Sequence, residues 1–339
     1  MRPFSYERAA DASQAVRSAA GQPEPIPTLA PIQFVAGGTT MLDLMKLDVM
    51  RPRKLVDLLD LGARYGHVRY DDVHGLQLGA MARMQAVVDD PTVNRLYPVI
   101  AQSLSLAASV QLRNMATLGG NVLQRSRCNY FRNTDWAACN KRDPGSGCSA
   151  IDGVNRKHAV LGVSERCIST YPGDFAQALV ALGAKVDLLG PAGPRSIAFD
   201  ALHRDATEPH NETILRPGEL IVAFNVPPGP WTRRSLYLKV RDRESYEFAL
   251  ASAAVALHLQ GDRVTESRVA LGGVAYRPWR STEAEAALLG HELNEQTAAT
   301  AADAAFAGAV THGGNAFKTA LGRRTLIRAL LEARSMGAA

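Results

Sequence analysis

Residues 34–47 read F-V-A-G-G-T-T-M-L-D-L-M-K-L and place two glycines between an apolar stretch and a helix-like segment. The pattern predicts a strand, a tight turn at Gly37 and Gly38, and a helix whose N-cap is Thr39 or Thr40. Glycine lets the backbone approach a phosphate closely, and the free N–H groups at a helix start attract anions. The segment lacks the G-x-G-x-x-G spacing of dinucleotide-binding Rossmann folds, so it does not predict that fold.

A second glycine pair follows about eighty residues later, within residues 111–124, Q-L-R-N-M-A-T-L-G-G-N-V-L-Q. Thr117, Gly119, Gly120 and Asn121 come directly after an apolar, helix-like stretch. Taken alone, each glycine pair also suits an ordinary turn. Their order along the chain is the more informative feature, because two such loops can act on one ligand.

All four cysteines, Cys128, Cys139, Cys148 and Cys167, lie in one window of about forty residues with the spacing C-x10-C-x8-C-x18-C. A tetrahedral zinc site usually pairs its thiols as C-x2-4-C, whereas cubane iron–sulfur clusters accept longer and less regular loops. The spacing therefore favours a 4Fe–4S cluster over zinc. Two disulfides in an exported protein are a further alternative.

Basic residues are concentrated in and beside the cysteine window. A cluster held by four thiolates is anionic, so nearby cations would stabilise it and raise its potential. A solvated basic loop is the alternative interpretation. The residues concerned are Arg125, Arg127, Arg132, Lys141, Arg142, Arg156 and Lys157.

The composition is that of a folded globular protein, with 46% hydrophobic and 21% charged residues among 339. This length predicts two or three substantial cores. No segment is long and apolar enough to predict a membrane span, and the first residues lack the apolar stretch of a signal peptide. The net charge of +5 comes from dispersed basic residues without interleaved aromatics, so nucleic-acid binding is not predicted.

Motifs for self-contained substrate chemistry are absent from the sequence. It has no G-x-S-x-G elbow and no P-loop, and H-E-L-N-E at His291 is not the zinc motif H-E-x-x-H. Asp57 and Asp60 are expected on the exposed side of a turn or helix rather than in a shared carboxylate site. We therefore expect no catalytic residue on this chain, which fits a role in electron transfer.

The segments V-A-G-G-T and R-N-x-A-T-x-G-G-N together resemble the FAD-binding subunits of the xanthine dehydrogenase and carbon monoxide dehydrogenase family. The resemblance implies that both glycine loops cradle the pyrophosphate of FAD. It continues at S-T-Y-P-G-D, where Asp174 would help to bind the flavin end, although Tyr171-Pro172 replaces the family's usual serine–proline pair. It also implies that Ile221 and Lys239 lie near the isoalloxazine ring. The implied flavin-binding residues are Phe34, Val35, Ala36, Gly37, Gly38, Thr39, Thr40, Met41, Leu42, Ala108, Thr117, Gly119, Gly120, Asn121, Leu123, Asp174, Ile221 and Lys239.

The resemblance covers nearly the whole chain and implies an α+β fold. Residues 1–228 are expected to form an FAD-binding domain of the p-cresol methylhydroxylase type, with two α/β subdomains and the cysteine insertion at 125–168. Residues 229–335 are expected to form an antiparallel sheet with helices on one side, similar to the C-terminal domain of CO dehydrogenase flavoproteins. Two apolar strands around a turn at Gly261 and Asp262, followed by alanine-rich helices, agree with this expectation.

Most family members connect the second glycine loop to Asp174 by a shorter stretch, so the cysteine insertion marks a branch. Of the two branches that carry it, the segments C-N-K-R-x-P-G-S-G-C and V-R-D-R-E-S-Y-E-F-A-L look like periplasmic aldehyde oxidoreductases rather than 4-hydroxybenzoyl-coenzyme A reductases. The resemblance implies that Cys128, Cys139, Cys148 and Cys167 ligate one 4Fe–4S cluster.

The same resemblance implies the FAD subunit of a heterotrimer. Aldehyde would be oxidised to carboxylate on a molybdopterin-binding large subunit, and electrons would pass through 2Fe–2S clusters of a small subunit to FAD on this chain. An external acceptor would then receive them. The expected compartment is the periplasm, reached with a signal-bearing partner, or the cytoplasm.

Two other functions remain as alternatives. A self-sufficient flavin oxidase needs a substrate-covering domain, and the roughly one hundred residues after Pro230 are few and rich in alanine. An iron–sulfur redox sensor or scaffold that binds no flavin would show cluster absorbance without flavin absorbance. The aldehyde and the acceptor would bind outside this chain, so its sequence does not identify them.

Overall fold

The computed structural model describes residues 1–21, 24 and 26–337, and its three sheets and their helices form the predicted α+β fold. The first unit consists of β1 (Ser5–Arg8), α1 (Ala12–Ala19), β2 (Ile32–Val35), α2 (Met41–Lys46) and β3 (Lys54–Asp57). Its strands are parallel in the order β1-β3-β2, so α1 and α2 lie in the connections between parallel strands. This arrangement places the first glycine loop, which joins β2 to α2, at the carboxyl edge of the sheet.

The second unit is a five-stranded antiparallel sheet covered by short helices. Its elements are α3 (Gly62–Tyr65), β4 (Val68–Asp71), β5 (Gly75–Gly79), α4 (Met84–Val88), α5 (Pro91–Leu96), α6 (Pro98–Ser105), α7 (Val110–Met115), α8 (Leu118–Val122), α9 (Asn129–Arg132), α10 (Phe175–Ala181), β6 (Lys185–Gly190), β7 (Gly193–Ala198) and β8 (Leu220–Val226). The strand order is β4-β5-β8-β6-β7. Pro91 and Pro98 begin their helices because the first helical position needs no N–H donor. Every residue of α10 is buried, so this helix lies at the centre of the unit.

The third unit is a four-stranded antiparallel sheet with its own three helices. Its elements are β9 (Ser235–Val240), β10 (Ala251–Gln260), β11 (Arg263–Gly272), β12 (Trp279–Arg280), α11 (Thr282–Leu288), α12 (Glu295–Phe306) and α13 (Phe317–Ser335). The strand order is β12-β11-β10-β9. Strands β10 and β11 form the predicted hairpin, with Gly261 in the left-handed conformation at its turn (φ +60°). Within the described residues, no helix has both the length and the apolar character needed to cross a bilayer.

Strand β10 packs on both of its faces. Ala253 and Val255 point into a core formed with α12 and α13, whereas Ala254 and Ala256 point into the core that contains α6 and α10. Successive side chains of a strand point to opposite faces, and small alanines let helices approach both of them closely. The strand therefore joins the core of the third unit to that of the second.

Asp57 does not have the exposed position expected from the sequence. It ends the central strand of the first sheet and is 1% exposed, and it accepts hydrogen bonds from the Tyr6 hydroxyl and from the Leu59 N–H at 2.9 Å. Asp60 does lie at the surface, where it pairs with Arg8. The expectation was wrong for Asp57 because its partner Tyr6 comes from a strand about fifty residues earlier, which a local pattern does not reveal.

Lys318 of α13 is fully buried and joins two other segments of backbone to its own helix. Its Nζ donates to the carbonyl groups of Lys157 (3.0 Å), His158 (3.1 Å) and Gly273 (2.6 Å). Lys157 and His158 belong to the cysteine insertion, and Gly273 follows β11. The ammonium group thereby fixes the end of the insertion to the third unit.

We expect Lys318→Met to destabilise the chain by about 3 kcal/mol or more, because it leaves buried carbonyl groups without a donor. The free energy of unfolding in urea would measure this effect. Arg328→Met is the matched control, because Arg328 lies on the same helix but has a side chain that is 66% exposed and pairs with Glu332. Its loss should cost less than about 1 kcal/mol. Equal effects of the two changes would contradict a structural role for the Lys318 ammonium.

Candidate functional site

A cavity of about 710 Å³ lies where the first unit, the second unit and the cysteine insertion meet. Both glycine loops line it, as do the loop before β8 and residues of the insertion. Its size is typical of a site for a cofactor or another small molecule. The predicted site residues that line it are Phe34, Val35, Ala36, Gly37, Gly38, Thr39, Thr40, Met41, Thr117, Gly119, Gly120, Leu123 and Ile221.

The first glycine loop presents unpaired donors to this cavity. Within the described chain, the backbone N–H groups of residues 37–41 have no protein acceptor, and the first bond of the turn runs from Leu42 N to Gly38 O at 3.1 Å. Thr40 occupies the N-cap position without a side-chain cap bond. Gly38 is left-handed (φ +74°), which aligns the turn and favours glycine. Consecutive free N–H groups of this kind attract an anion.

The second glycine loop contributes shape rather than donors. The N–H of Gly119 donates to Ala80 O at 2.8 Å, and that of Gly120 donates to the Thr117 hydroxyl at 3.2 Å, which caps α8. A side chain on Gly37 would collide with the Met115 carbonyl, so the two loops lie in direct backbone contact. The loops therefore form one surface, on which the N–H groups of Gly119 and Gly120 are already paired with protein acceptors.

Five predicted flavin-binding residues do not line the cavity, namely Leu42, Ala108, Asn121, Asp174 and Lys239. Asp174 and Lys239 form a buried ion pair (Oδ2 to Nζ, 2.7 Å), and the Tyr237 hydroxyl donates to Asp174 Oδ1 at 2.6 Å. Lys239 also donates to the carbonyl of Leu106 at 3.0 Å, next to the segment in which Ala108 is left-handed (φ +51°). The structure thus brings Ala108, Asp174 and Lys239 to one region.

The cysteine insertion is organised around Asn140, which lies next to Cys139. Its Oδ1 accepts from the N–H groups of Gly145 and Gly147 at 2.9 and 3.1 Å, and the backbones of Cys139 and Cys148 pair as an isolated antiparallel bridge. This turn requires its glycines, because Gly145 and Gly147 have φ values of +93° and +97°. The sequence P-G-S-G-C therefore brings two of the four thiols together.

All four cysteines are free thiols. Cys148 and Cys167 share a hydrogen bond, which lowers the pKa of Cys148 to about 7 and raises that of Cys167. Burial raises the pKa of Cys128 to about 12, and charges at Cys167 and Cys139 act in the same direction. Three of the four thiols therefore have pKa values that depend on other thiols of the insertion.

The arrangement of these thiols gives no support to a single metal ion. Among the described residues, no group of three or more His, Cys, Asp or Glu side chains is placed to hold one. Thiolates around one zinc ion lie about 3.8 Å apart, as a tetrahedral Zn–S distance of about 2.3 Å requires. A cubane cluster binds its thiolates through separate iron atoms, so it accommodates wider spacing. The four thiols are a donor set that suits such a cluster.

His158 is a neighbour of the thiols that the sequence did not reveal. Its Nε2 lies 3.2 Å from Cys128 Sγ, and burial lowers the pKa of its imidazole to about 4. The ring is therefore neutral at physiological pH and can donate an Nε2 proton to a sulfur ligand. Its main-chain carbonyl accepts from Lys318, so α13 also fixes its position.

The basic residues of the insertion form ion pairs with distant carboxylates. Arg127 and Arg132 both contact Asp43 of α2 at 2.9 to 3.0 Å, and Arg156 pairs with Asp242 at 2.8 Å. Of the seven basic residues, Lys141 acts on a thiol: its positive charge lowers the pKa of Cys167, although other contacts raise that pKa. Most of them therefore attach the insertion to the rest of the fold, which differs from the expectation that they surround an anionic cluster.

A buried charge network lies between the thiols and the cavity. Lys141 Nζ donates to Glu212 Oε1 (2.8 Å), to the Tyr276 hydroxyl (2.8 Å) and to Pro209 O (3.2 Å), and Arg125 also pairs with Glu212. Burial alone would raise the pKa of Glu212, but the charges of Arg125 and Lys141 outweigh it and lower that pKa to about 2. Burial likewise opposes the charge of Lys141, and Glu212 holds its pKa above the usual range. Glu212 and Lys141 are thus both charged at neutral pH.

Sequence reasoning did not find the carboxylate and the phenol of this network. Lys141 and Arg125 were visible only as members of a basic group, and nothing in the sequence around Glu212 or Tyr276 marks them as site residues. Their partners are about seventy or more residues away along the chain. Only the tertiary fold brings these groups together.

The fold and the glycine-lined cavity define an α+β flavoprotein with an added thiol-bearing insertion, and comparison with known proteins agrees. The family described as FAD binding domain in molybdopterin dehydrogenase matches residues 2–229, and the CO dehydrogenase flavoprotein C-terminal domain matches residues 236–333. The chain belongs to this family of FAD-binding subunits, the xanthine dehydrogenase family. The predicted fold and family are therefore confirmed.

Individual relatives show how far the similarity extends. The chain is 44% identical over 337 residues to the aldehyde oxidoreductase FAD-binding subunit PaoB of Escherichia coli, with 99% of each chain covered. It is 27% identical over 261 residues to the carbon monoxide dehydrogenase medium chain of Afipia carboxidovorans, covering 77% of this chain and 73% of that one. The crystal structure of quinoline 2-oxidoreductase from Pseudomonas putida 86 matches with a TM-score of 0.74 at 25% identity, over 98% of this chain and 97% of that one.

Proposed function

We propose that this chain is the FAD- and 4Fe–4S-binding electron-transfer subunit of a heterotrimeric molybdenum hydroxylase that oxidises aldehydes to carboxylic acids. The observation that carries the proposal is the run of five free N–H groups at residues 37–41, which faces a cavity in a chain of an FAD-binding family. The substrate class follows from the full-length similarity to PaoB, which is named an aldehyde oxidoreductase subunit.

The residues of the cavity have separate tasks in this proposal. The N–H groups of residues 37–41 hold the pyrophosphate, and Gly120 leaves room beside it, because a Cβ there would meet only the Thr117 hydroxyl at 3.1 Å. Ile221 lines the cavity, and its place near the ring end of the cofactor is a prediction from the family resemblance. FAD, when bound, supplies the redox chemistry, and the protein supplies binding and orientation. The positions of Asp174 and Lys239 at the flavin end remain a prediction from the family resemblance.

The thiols Cys128, Cys139, Cys148 and Cys167 would hold the 4Fe–4S cluster. Their confinement to one insertion and the effects of Cys128, Cys148 and Cys167 on one another's pKa values support this assignment. Metal binding would also order a loop that has little apolar core of its own.

The partners would be a molybdopterin-binding large subunit and a 2Fe–2S small subunit, with an external electron acceptor. Relatives named medium chains or FAD-binding subunits support such an assembly. We assign residues 1–228 to the FAD-binding domain, with the insertion at 125–168, and residues 229–335 to the C-terminal domain. For the compartment we propose the periplasm, reached together with a signal-bearing partner, with the cytoplasm as the alternative.

The test is a cofactor and single-turnover experiment on the chain purified with its co-expressed neighbours. We expect bound FAD and about four iron atoms per chain. An assembly stripped of FAD should still let aldehyde reduce the molybdenum and the 2Fe–2S clusters once, whereas steady-state transfer to the acceptor should collapse. The isolated chain should show no bleaching of its flavin by aldehyde.

The two alternative functions give different results in the same experiment. If the isolated chain reduces its own flavin when aldehyde is added, it is a self-sufficient oxidase and the relay role is wrong. If the purified chain shows cluster absorbance and no flavin, it is an iron–sulfur sensor or scaffold. Either result would replace the proposal.

A further inference from the structure

The charge network of Lys141, Glu212 and Arg125 forms a wall between the thiols and the flavin cavity. All three residues line the cavity. Lys141 lies two residues after Cys139, and Arg125 lies three residues before Cys128. Glu212 comes from the loop before β8 and is the one carboxylate that both cations contact. The wall therefore belongs to both sites at once.

The thiol side of this wall is closely packed. Tyr276 accepts a hydrogen bond from Lys141, has its ring 4.5 Å from the Lys141 ammonium, and packs against Cys167. The guanidinium of Arg125 lies 4.9 Å from the ring of Phe131, which shares a buried cluster with Cys139. A movement of Cys139 or Cys167 therefore displaces the groups that hold Glu212.

The cavity side depends on the same contacts. Glu212 is 21% exposed, against 3% for Lys141 and 11% for Arg125, and it lines the cavity directly. Arg125 also contacts Met50 Sδ at 3.5 Å, and Met50 lines the cavity as well. The shape and charge of this part of the cavity are consequently set by where the two cations place the carboxylate.

The charge balance of the network points to anions on its two sides. Two buried cations share one carboxylate, which leaves a surplus of one positive charge. A buried, uncompensated charge is costly, so anionic groups nearby stabilise the arrangement. Thiolates at the cluster site and phosphates in the cavity are the two kinds of anion that the proposed function supplies.

We propose that Lys141, Glu212 and Arg125 are positioning residues that couple the thiol site to the flavin cavity. Occupancy of either site orders the wall and strengthens occupancy of the other. The proposal rests on the proposed function, because it takes the cavity for FAD and the thiols for a metal centre. Such coupling is reciprocal: the factor by which the cluster strengthens FAD binding is the factor by which FAD strengthens cluster retention.

The test is a thermodynamic cycle on the full chain. The FAD dissociation constant is measured by flavin fluorescence with the cluster present and after its removal by a chelator, in the unmodified chain and in Glu212→Gln. Glutamine keeps the size of the side chain and removes its charge. We expect cluster removal to weaken FAD binding by at least about tenfold in the unmodified chain and by less than about threefold in the variant.

Arg142→Met is the matched control, because Arg142 is the next residue after Lys141 and donates to the carbonyl groups of Asn133 and Trp136 within the insertion. This variant should keep the full tenfold effect. If Glu212→Gln does not fold, Lys141→Met removes the same coupling from the thiol side. The comparison of FAD affinity with and without the cluster in the unmodified chain also tests the coupling without any variant.

Three results would overturn the coupling. The first is equal FAD affinity of the unmodified chain with and without the cluster. The others are an effect of cluster removal in Glu212→Gln as large as in the unmodified chain, or an effect in Arg142→Met reduced as much as the one expected for Glu212→Gln. Iron and sulfide are measured before any flavin titration. Their absence from the unmodified chain would contradict the metal centre of the proposed function, and the coupling with it. FAD affinity that does not respond to a cluster that is present would contradict the coupling alone.

Discussion

Replacing Gly38 with valine is expected to reduce FAD occupancy of the purified chain to less than about a tenth of its normal value. Gly38 adopts φ +74°, where a β-branched residue is strained by about 1–3 kcal/mol. Relief of that strain rotates the turn and misdirects the free N–H groups of residues 37–41. Extraction and quantification of bound flavin measures the effect. Gly38 serves this test better than Gly37, because a side chain on Gly37 would also break the contact with Met115.

Gly261→Val is the matched control for this experiment. Gly261 has nearly the same conformation (φ +60°) at the β10–β11 turn, and a Cβ there would have no neighbour within 4 Å. It carries the same kind of backbone strain but lies outside the cavity lining. We expect this variant to retain its flavin. Full FAD occupancy in Gly38→Val would show that the first glycine loop is only a turn.

Replacing Cys139 with serine is expected to lower the iron content from about four atoms per chain to less than about one, with a parallel loss of sulfide. A serine hydroxyl is a poor ligand for iron at neutral pH, and Cys139 lies in the segment that pairs with Cys148. Loss of the Cys139 ligand therefore leaves one position of the site unfilled and disturbs Cys148. Iron and sulfide analysis of anaerobically purified protein, with the corresponding serine variants of Cys128, Cys148 and Cys167, gives the result.

Val154→Ala is the control for the cysteine variants, because Val154 lies in the same insertion and is 79% exposed. It should keep its iron. About one zinc per chain without iron or sulfide would refute the cluster, and so would normal iron in all four serine variants. Serine variants that lose iron and also lose flavin would agree with the coupling through Lys141 and Glu212.

The parts of the site that could be predicted from the sequence are those encoded by neighbouring residues. The turn at Gly37 and Gly38 and the start of α2 at Thr40 depend on a few adjacent positions, and the structure places both glycine loops in the cavity lining. The confinement of the four thiols to one insertion is likewise visible in the sequence, and the common cluster that it predicts stays a prediction. Local patterns of this kind need no knowledge of the fold.

The parts that could not be predicted depend on contacts between distant segments. The second glycine loop was expected to cradle the pyrophosphate together with the first, but the N–H of Gly119 donates to Ala80 O instead. Glu212 carried no signal, because its role arises from cations about seventy or more residues away. Asp57 looked exposed until the neighbouring strand supplied Tyr6. In each case the deciding partner comes from another element of the fold.

Strand β10 has a consequence for how a cofactor can enter this protein. This one strand contributes alternate side chains to the cores of the second and third units. A hinge motion between the second and third units would separate this strand from one of its two cores and expose residues such as Ala254 and Ala256 to water. The second and third units therefore move as one body, so opening of the cavity requires movement of the first unit or of the loops that line it.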